Sequence, residues 1–291
     1  MLLSAMSHIS LKTPEPARLA AFYTDMLGMT AEDGAGEERV RLGWGRGHYA
    51  VELSRGPQGL DHVAFEISTP EEQAKLEERL ARAGLSFRRS EASAGRPPNE
   101  ISILDPDENS IRFHGRVDRS GEFLAGLRPQ RIQHIALSTP DVSRMLKFYV
   151  DVLGFRVSDI MGENEFVWLR SDHFHHSLAL VQRDNQRGLD HFSFDIAGWG
   201  DFKTWCDHFA RRRISVLWGP GRHGPGNNLF IMFRDSAGFL LEFSAEMELY
   251  WDDVSRVVPK QWELTGHSVS LWGPWPDFRQ EAKTLSHAEQ E

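Results

Sequence analysis

Three strand-like pieces decide the fold, and they read RIQHIALST (131–139), LDHFSFDI (189–196) and FLLEFSA (239–245). Each piece carries one potential metal ligand among alternating apolar residues: His134, His191 or Glu242. Because successive side chains of a strand point to opposite faces, each piece has one bulky apolar face that suits packing against helices. The other face holds the ligand beside mostly small or polar neighbours. We therefore expect the three ligands to point into one cavity.

Two imidazoles and one carboxylate form the facial triad that binds non-haem Fe(II) and leaves coordination positions open. A single His or Glu on a strand is usually a hydrogen-bonded interior residue. Three such residues on matching faces favour a metal site instead, so His134, His191 and Glu242 are the predicted ligands. Mn(II) prefers similar ligands, so the pattern predicts Fe(II) with Mn(II) as the alternative.

Composition argues against several classes of protein. The chain has 291 residues, a formal net charge of −9 and no basic block longer than Arg211–Arg213, which argues against nucleic acid as a partner. It has no apolar run of about 18 residues and no basic signal-peptide pattern, so we expect neither a membrane span nor export by a secretory signal. The single cysteine, Cys206, favours a reducing, cytoplasmic environment.

The chain also contains an internal duplication. The stretch MSHISLKTPEPARLAAFYTDMLGM (6–29) is echoed by IQHIALSTPDVSRMLKFYVDVLGF (132–155), and NEISILDPDENSIRFHG (99–115) by NLFIMFRDSAGFLLEFS (228–244). The duplication pairs His8 and His62 with two of the predicted ligands, but it pairs Arg112 with Glu242. A guanidinium has no lone pair for a cation. His114 shares the strand face of Arg112, but we expect a buried or capping histidine there. The chemistry should therefore lie in the second unit.

Each unit reads as two βαβββ modules, with helices that close at Gly28 and Gly154. The predicted class is α+β: tandem βαβββ modules that form two barrel-like mixed sheets with outer helices. We expect residues 1–115 to be a module pair that acts as a scaffold without metal, 116–130 a linker, and 131–245 the module pair with the metal site. Residues 246–291 form an acidic, Trp-rich tail, either a lid over the second unit or, beyond Asp277, a disordered end.

These motifs resemble the vicinal oxygen chelate superfamily and, within it, the two-domain type I extradiol ring-cleavage dioxygenases. The resemblance rests on the duplicated H-I-[AS]-L strand and FY-x-D-x-LG helix end, on DHFSFDI, and on the D-x-x-G-x-x-x-E pattern at 235–242. It also rests on FHHSLAL (174–180), GPGRHGPGN (219–227) and SLWGP (270–274). It implies a glyoxalase-like fold, insertion of O2 into a catechol-like vicinal aromatic diol, and assembly as a homo-oligomer.

Extradiol cleavage needs a base near the metal, and histidine suits this role because its pKa lies near neutrality. The candidates are His173, His175 and His176. Strand alternation along HHSLAL selects His175 as the cavity residue, and the resemblance indicates the same position; a surface turn is the alternative. By resemblance, His223 donates a hydrogen bond to the metal-bound oxygens or to substrate, unless its loop is only a connector. We expect Asn228 to help order that loop.

The chain departs from the resembled family at two substrate positions. Met232 stands where many extradiol enzymes have a tyrosine, and a thioether cannot replace a phenolic donor. Trp218 stands where relatives that accept carboxylated catechols can place an arginine, which favours an uncharged or bulky substrate. Four further aromatic residues are candidates to line an apolar pocket, with the core as their default place: Phe166, Trp168, Phe230 and Trp251.

Three alternative functions remain open at this point. A glyoxalase- or epimerase-like enzyme of the same superfamily would use the metal as a Lewis acid and usually needs a fourth protein ligand. A non-enzymatic aromatic-ligand binding protein would have no reason to hold three ligands on one face. A ring-cleaving enzyme for a hydroquinone or a heterocyclic diol would differ only in the pocket.

Overall fold

The computed structural model describes residues 3–32, 38–45, 49–90, 99–117, 126–250 and 258–273. In the first half of the chain the strands are β1 (Leu3–Thr13), β2 (Thr30–Ala31), β3 (Arg39–Gly43), β4 (Val51–Arg55), β5 (Gly59–Ile67), β6 (Arg88–Ser90), β7 (Glu100–Leu104) and β8 (Ser110–Gly115). The helices of this half are α1 (Pro16–Leu27) and α2 (Pro70–Arg82). These strands form one mixed sheet in the order β2-β3-β4-β1-β5-β8-β7-β6.

The second half repeats this plan. Its strands are β9 (Arg131–Thr139), β10 (Arg156–Met161), β11 (Phe166–Arg170), β12 (Leu178–Gln182), β13 (Gly188–Asp195), β14 (Trp218–Arg222), β15 (Leu229–Arg234), β16 (Leu240–Ala245) and β17 (Lys260–Trp262). Its helices are α3 (Val142–Lys147), which continues into a π-helical turn (Phe148–Val152), α4 (Trp199–Arg211) and α5 (Gly266–Val269). The sheet order is β14-β15-β16-β13-β9-β12-β11-β10-β17.

The two sheets share one topology, because β4-β1-β5-β8-β7 corresponds to β12-β9-β13-β16-β15. In the first sheet β1 is parallel to β4 and antiparallel to β5, and β5 is parallel to β8. In the second sheet β9 is parallel to β12 and antiparallel to β13, and β13 is parallel to β16. The expected α+β class, with tandem modules in two mixed sheets, is confirmed. The domain boundaries stay predictions, and the linker is described only at residues 116–117 and 126–130.

The bulky face of the second sheet packs against α4. Phe243 of β16 lies with its ring centroid 4.6 Å from that of Trp205 and 5.6 Å from that of Phe209. All three side chains are fully buried, as are Phe192 and Phe194 of β13. This apolar layer is a continuous core and turns the opposite, polar face of β9, β13 and β16 inward. Burial of one such phenyl ring stabilises the fold by about 1.5 to 3 kcal/mol.

Two tyrosine–aspartate pairs join the halves reciprocally. Tyr23 of α1 donates a hydrogen bond to Oδ2 of Asp235 at 2.7 Å, and Tyr149 of the π-helical turn donates to Oδ2 of Asp105 at 2.9 Å. In each hairpin the other carboxylate oxygen accepts two backbone N–H groups of the turn. Each aspartate therefore orders its own hairpin and binds the opposite half of the chain.

The surroundings of these pairs favour the un-ionised tyrosine as donor. Burial and the neighbouring carboxylate raise the pKa of Tyr23 and Tyr149 well above the ordinary value. Burial also raises the pKa of Asp105 and Asp235, although the hydrogen bonds from the tyrosines and the turn amides oppose this change. A lost tyrosine hydroxyl would thus leave a buried carboxylate less well satisfied.

Residues of the tail lie against the second sheet. Strand β17 pairs in parallel with β10, at the register Asp159 with Lys260 and Met161 with Trp262. Helix α5 follows, and Val269 at its end lies beside the loop that carries His223. Trp251 and the residues after 273 lie outside the described part of the chain. In the described residues no helix combines the length and apolar character that crossing a membrane requires.

We expect Tyr23→Phe to destabilise the protein more than Tyr149→Phe. Oδ2 of Asp105 retains a hydrogen bond from the Asn109 side chain at 2.8 Å, whereas Tyr23 is the side-chain donor to Oδ2 of Asp235. The loss should be about 1 to 3 kcal/mol for Tyr23→Phe and about 1 kcal/mol for Tyr149→Phe. Urea unfolding midpoints at unchanged slope measure both losses. Two unchanged midpoints would show that these pairs do not hold the halves together.

Candidate metal centre

Three adjacent strands bring the predicted ligands together. His134 lies on β9, His191 on β13 and Glu242 on β16, and β13 runs between the other two strands. In the sheet register His134 and Glu242 both pair with Ser193 of β13, so they flank it from its two sides. The three side chains can therefore meet on the inner face.

The donor atoms of these side chains converge without closing on one another. One ligand atom of each lies within 4.8 Å of the other two. Nε2 of His134 is 3.7 Å and Nε2 of His191 is 3.5 Å from Oε2 of Glu242, which is longer than a hydrogen bond. Two imidazole nitrogens and a carboxylate oxygen at this spacing fit a first-row divalent ion such as iron or manganese.

Hydrogen bonds behind the cluster orient each donor. Nδ1 of His191 binds Oδ1 of Asp190 at 2.7 Å, and Nδ1 of His134 binds Oε1 of Gln133 at 3.0 Å. Asn228 donates to the other oxygen of Glu242 at 3.2 Å. These bonds place the Nδ1 protons away from the cluster and leave both Nε2 lone pairs toward it. Partners of this kind behind a ligand hold its orientation and raise its basicity.

The cluster keeps its carboxylate charged. Burial alone would raise the pKa of Glu242, but His134, His223 and His191 outweigh burial, and the net shift is downward. Burial lowers the pKa of His134, with partial opposition from Glu242. Burial would also lower the pKa of His191, but the hydrogen bond and the charge of Asp190 raise it above the ordinary value. A buried anion thus faces imidazoles that can stay neutral, which is the state that binds a cation.

The first unit keeps the imidazole pair but not the third donor. Nε2 of His8 lies 3.1 Å from Nε2 of His62, and Arg112 forms an ion pair with Glu100 at 3.2 Å. A second group with potential metal ligands exists here and consists of Glu52, Asp61 and His62. Its carboxylates already have cationic partners, since Arg41 binds Glu52 at 2.8 Å and Lys12 binds Asp61 at 2.7 Å.

His114 is fully buried, with Nδ1 hydrogen-bonded to the carbonyl of Gly115 and Nε2 to Ser7. This placement agrees with the expectation of an interior histidine. The role of the first unit as a scaffold without metal stays a prediction.

The structure places His223 and Asn228 beside the cluster. Nε2 of His223 is 3.9 Å from Oε2 of Glu242, and its ring stacks on Phe230 with centroids 3.8 Å apart. Nδ1 of His223 donates to the carbonyl of Val269 at 2.6 Å. A carbonyl only accepts, so the neutral ring carries its proton on Nδ1, and Nε2 can accept but not donate. The expected donation from His223 would therefore require a protonated ring.

His175 does not occupy the position that strand alternation assigned to it. Strand β12 begins only at Leu178, so the alternation does not extend back to the two histidines. The ring centroid of His176 is 4.4 Å from that of His134, whereas His175 lies behind it with Nε2 3.2 Å from Oδ2 of Asp159. The alternation along HHSLAL therefore selected the wrong ring as the one beside the cluster. The His-His doublet was the only sequence signal for His176.

The candidate substrate residues lie in two groups. Phe166 and Trp168 stack with centroids 5.9 Å apart and pack on a small cluster formed by Ala136, Ala179 and Val181. Trp218 lies 4.5 Å from Phe230 and 5.4 Å from His223 between ring centroids. Met232 is 4% exposed, and its backbone pairs with that of Glu242 on one side and Trp218 on the other.

The chain is similar in sequence to known proteins over most of its length. The family model described as the Glyoxalase/Bleomycin resistance protein/Dioxygenase superfamily matches residues 5–113 and 131–243. An iron-dependent extradiol dioxygenase of Rhodococcus jostii is 25% identical over 302 residues, which cover 94% of this chain and 97% of that protein. Metapyrocatechase 2 of Cupriavidus necator is 33% identical over 147 residues, or 50% of this chain and 45% of the relative.

Among solved structures, the Mn(II)-bound glyoxalase from Novosphingobium aromaticivorans is similar with a TM-score of 0.83. It is 24% identical, and the match covers 94% of this chain and 95% of that one. At this identity the likeness concerns the fold alone.

We expect Glu242→Ala to abolish metal retention, because two imidazoles alone leave the ion without its anionic ligand. The measurement is elemental analysis after anaerobic loading with Fe(II) and gel filtration. The matched control is Arg112→Gln at the duplicate position, which should leave about one ion per chain bound. Retention of a full equivalent by Glu242→Ala would remove this group as the metal site.

We expect acid to release the metal by protonating His191. Because Asp190 raises the pKa of His191, proton competition for Nε2 begins at a higher pH than for an ordinary imidazole, and metal is lost as pH falls through that raised pKa. Asp190→Asn lowers that pKa, so proton competition for Nε2 should begin at lower pH and the metal affinity should stay independent of pH over a wider range. The same change should weaken affinity at neutral pH by about 10- to 100-fold. Metal titration across pH measures both effects, and Asp61→Asn, the equivalent change in the first unit, should alter neither.

Proposed function

Because the chain belongs to the Glyoxalase/Bleomycin resistance protein/Dioxygenase superfamily, we propose that it is an extradiol dioxygenase that uses non-haem Fe(II) to cleave a vicinal aromatic diol with O2. One observation carries the proposal: within the described residues the cluster has three donor side chains, His134, His191 and Glu242, which leaves positions for a diol and a gas. Similarity to an iron-dependent extradiol dioxygenase over 94% of the chain supports it.

The three side chains would hold the ion in the second unit. When bound, Fe(II) supplies Lewis acidity toward the diol and a path for electrons from the diol to O2, and Mn(II) is the alternative. The protein's own contribution is a buried, rigid donor set whose rear hydrogen bonds come from Gln133, Asp190 and Asn228. Burial of the cluster also keeps bulk water from competing with substrate.

His176 is the proposed acceptor of the phenolic proton. Its ring is fully buried beside His134. Burial and the neighbouring imidazoles His134, His175 and His223 lower the pKa of His176 well below its ordinary value, so the ring is neutral at pH 7. A neutral imidazole within reach of the bound hydroxyl can take its proton and return it later in the reaction. His223 would accept a hydrogen bond from a protonated substrate oxygen through Nε2.

The aromatic residues near the cluster favour an uncharged or bulky ring. Trp218 and Phe230 pack beside His223, and Met232 brings a thioether where a hydroxyl would help hold a simple catechol. Phe166 and Trp168 line the inner face near Ala136. Aromatic walls bind a planar apolar ring through burial and stacking. We propose that this surface selects a substituted, apolar diol.

The organisation of the chain belongs to the same proposal. Residues 1–115 serve as the scaffold half, residues 131–245 as the catalytic half, and the tail from residue 246 as a cover of the second sheet. The single cysteine fits a cytoplasmic enzyme. By analogy with the family, the enzyme is a homo-oligomer.

Met232 favours one competing function. Without a hydroxyl at this position, a glyoxalase-like enzyme that uses the metal only as a Lewis acid is the second candidate. Such an enzyme would isomerise or cleave its substrate without consuming O2. Oxygen consumption therefore separates the two functions.

We expect the anaerobically Fe(II)-loaded protein to consume O2 with vicinal diols and to form a yellow ring-opened product. An oxygen electrode and a visible spectrum measure this over catechols with apolar substituents, with 1,4-hydroquinone and monophenols as non-vicinal controls. No uptake across the panel, together with turnover in a glyoxalase assay, would overturn the dioxygenase in favour of the second candidate.

His176→Ala should lower kcat by about 10² to 10⁴-fold. The control is His267→Ala, which changes an exposed histidine of α5 and should leave kcat unchanged.

A further inference from the structure

A buried chain of polar groups runs from the tail to His176. Asp159 of β10 is fully buried and accepts hydrogen bonds from the backbone N–H of Lys260 at 3.2 Å and from Nε1 of Trp262 at 2.7 Å. Nε2 of His175 lies 3.2 Å from the same carboxylate. Nδ1 of His175 in turn lies 3.0 Å from Nδ1 of His176.

The backbone holds His175 in this position. Its N–H donates to the carbonyl of Glu248 at 2.9 Å, and the N–H of Glu248 donates to the carbonyl of Gly226 at 2.9 Å. Gly226 has a φ of +73°, and a Cβ at this residue would meet Nδ1 of His175 at 3.0 Å. A glycine is therefore required for the loop to approach the ring this closely.

The two histidines share one hydrogen bond, so only one of the facing Nδ1 atoms can carry a proton. Asp159 decides which one. Its carboxylate accepts from two N–H donors and, as an acceptor, favours a His175 proton on Nε2, the nitrogen that faces it. Nε2 of His175 is buried and forms no hydrogen bond within the described part of the chain. Its 3.2 Å separation from Oδ2 of Asp159 is an electrostatic contact, in which the carboxylate attracts a proton on that nitrogen.

A neutral His175 with its proton on Nε2 can only accept at Nδ1. His176 must then donate from its own Nδ1, and its Nε2 is left with a lone pair. The following inference rests on the proposed function. We propose that Asp159, acting through His175, is a positioning residue. It keeps the His176 proton on Nδ1 and leaves Nε2 of His176 free to accept the phenolic proton. The backbone N–H of Lys260 and the indole N–H of Trp262 donate to Asp159, so strand β17 helps to hold its carboxylate in place.

The test compares the proton positions directly in histidine-¹⁵N-labelled protein, metal-free and loaded with diamagnetic Zn(II). Long-range ¹H–¹⁵N correlation distinguishes the Nδ1–H from the Nε2–H tautomer, and His176→Gln assigns the signals. In the unaltered chain we expect His176 as Nδ1–H and His175 as Nε2–H. An Nε2–H tautomer of His176, or a doubly protonated His175, would overturn the proposal.

Asp159→Asn should weaken the arrangement, because the neutral amide removes the carboxylate charge beside Nε2 of His175 while its oxygen can still accept from Nε1 of Trp262. A population of His176 as Nε2–H should then appear, and kcat should fall while KM and metal content stay within about twofold. The exposed Asp151→Asn in the π-helical turn is the matched control and should change nothing. An unchanged tautomer and kcat in a folded Asp159→Asn protein would contradict the proposal.

A second pair of variants keeps the test independent of Asp159, whose change can also loosen β17. His175→Gln retains a carbonyl that can accept from Nδ1 of His176, whereas His175→Leu fills similar space without an acceptor. We expect the glutamine to preserve the Nδ1–H tautomer and most of kcat, and the leucine to lose both. Equal behaviour of the two variants would reduce His175 to a packing role. If the unaltered protein consumes no O2 with any diol, the proposed function fails, but the tautomer measurement still decides this inference.

Discussion

The second sheet depends on a buried carboxylate that has no Lys or Arg partner among the residues that the structure describes. Glu242 is 1% exposed, and its Oε2 faces three imidazole nitrogens at 3.5 to 3.9 Å. A desolvated anion is costly unless a positive charge compensates it. Strand order, register and the hydrogen bonds from Gln133, Asp190 and Asn228 all serve to hold these groups at a spacing that a divalent ion fills.

In the first half of the chain, the carboxylates lie beside cationic side chains. Glu52, Asp61 and Glu100 form ion pairs with Arg41, Lys12 and Arg112, respectively. The two halves therefore share one topology but differ in the charges that surround their carboxylates. The reciprocal pairs Tyr23–Asp235 and Tyr149–Asp105 then join the halves through the duplicated hairpins.

The tail contributes more to the site than a cover would. The carbonyl of Val269 orients His223, and the N–H groups of Lys260 and Trp262 bind Asp159 behind His175. Chain that lies outside the duplicated units thus bonds directly to His223 and to the carboxylate beside His175. The fold is shared with a Mn(II)-bound glyoxalase, and a fold by itself does not specify a chemistry.

The sequence by itself was sufficient for the duplication, the α+β class and the meeting of His134, His191 and Glu242 on one face. Each of these rests on strict alternation within regular strands, where backbone geometry alone sets the direction of a side chain. Only the tertiary structure decided that His176, not His175, lies beside His134, because the histidine doublet precedes β12 in an irregular segment. The tyrosine–aspartate pairs and the bonds from the tail were likewise beyond the sequence, since they join residues as far as 212 positions apart. Their geometry follows from packing of distant segments, which no local pattern encodes.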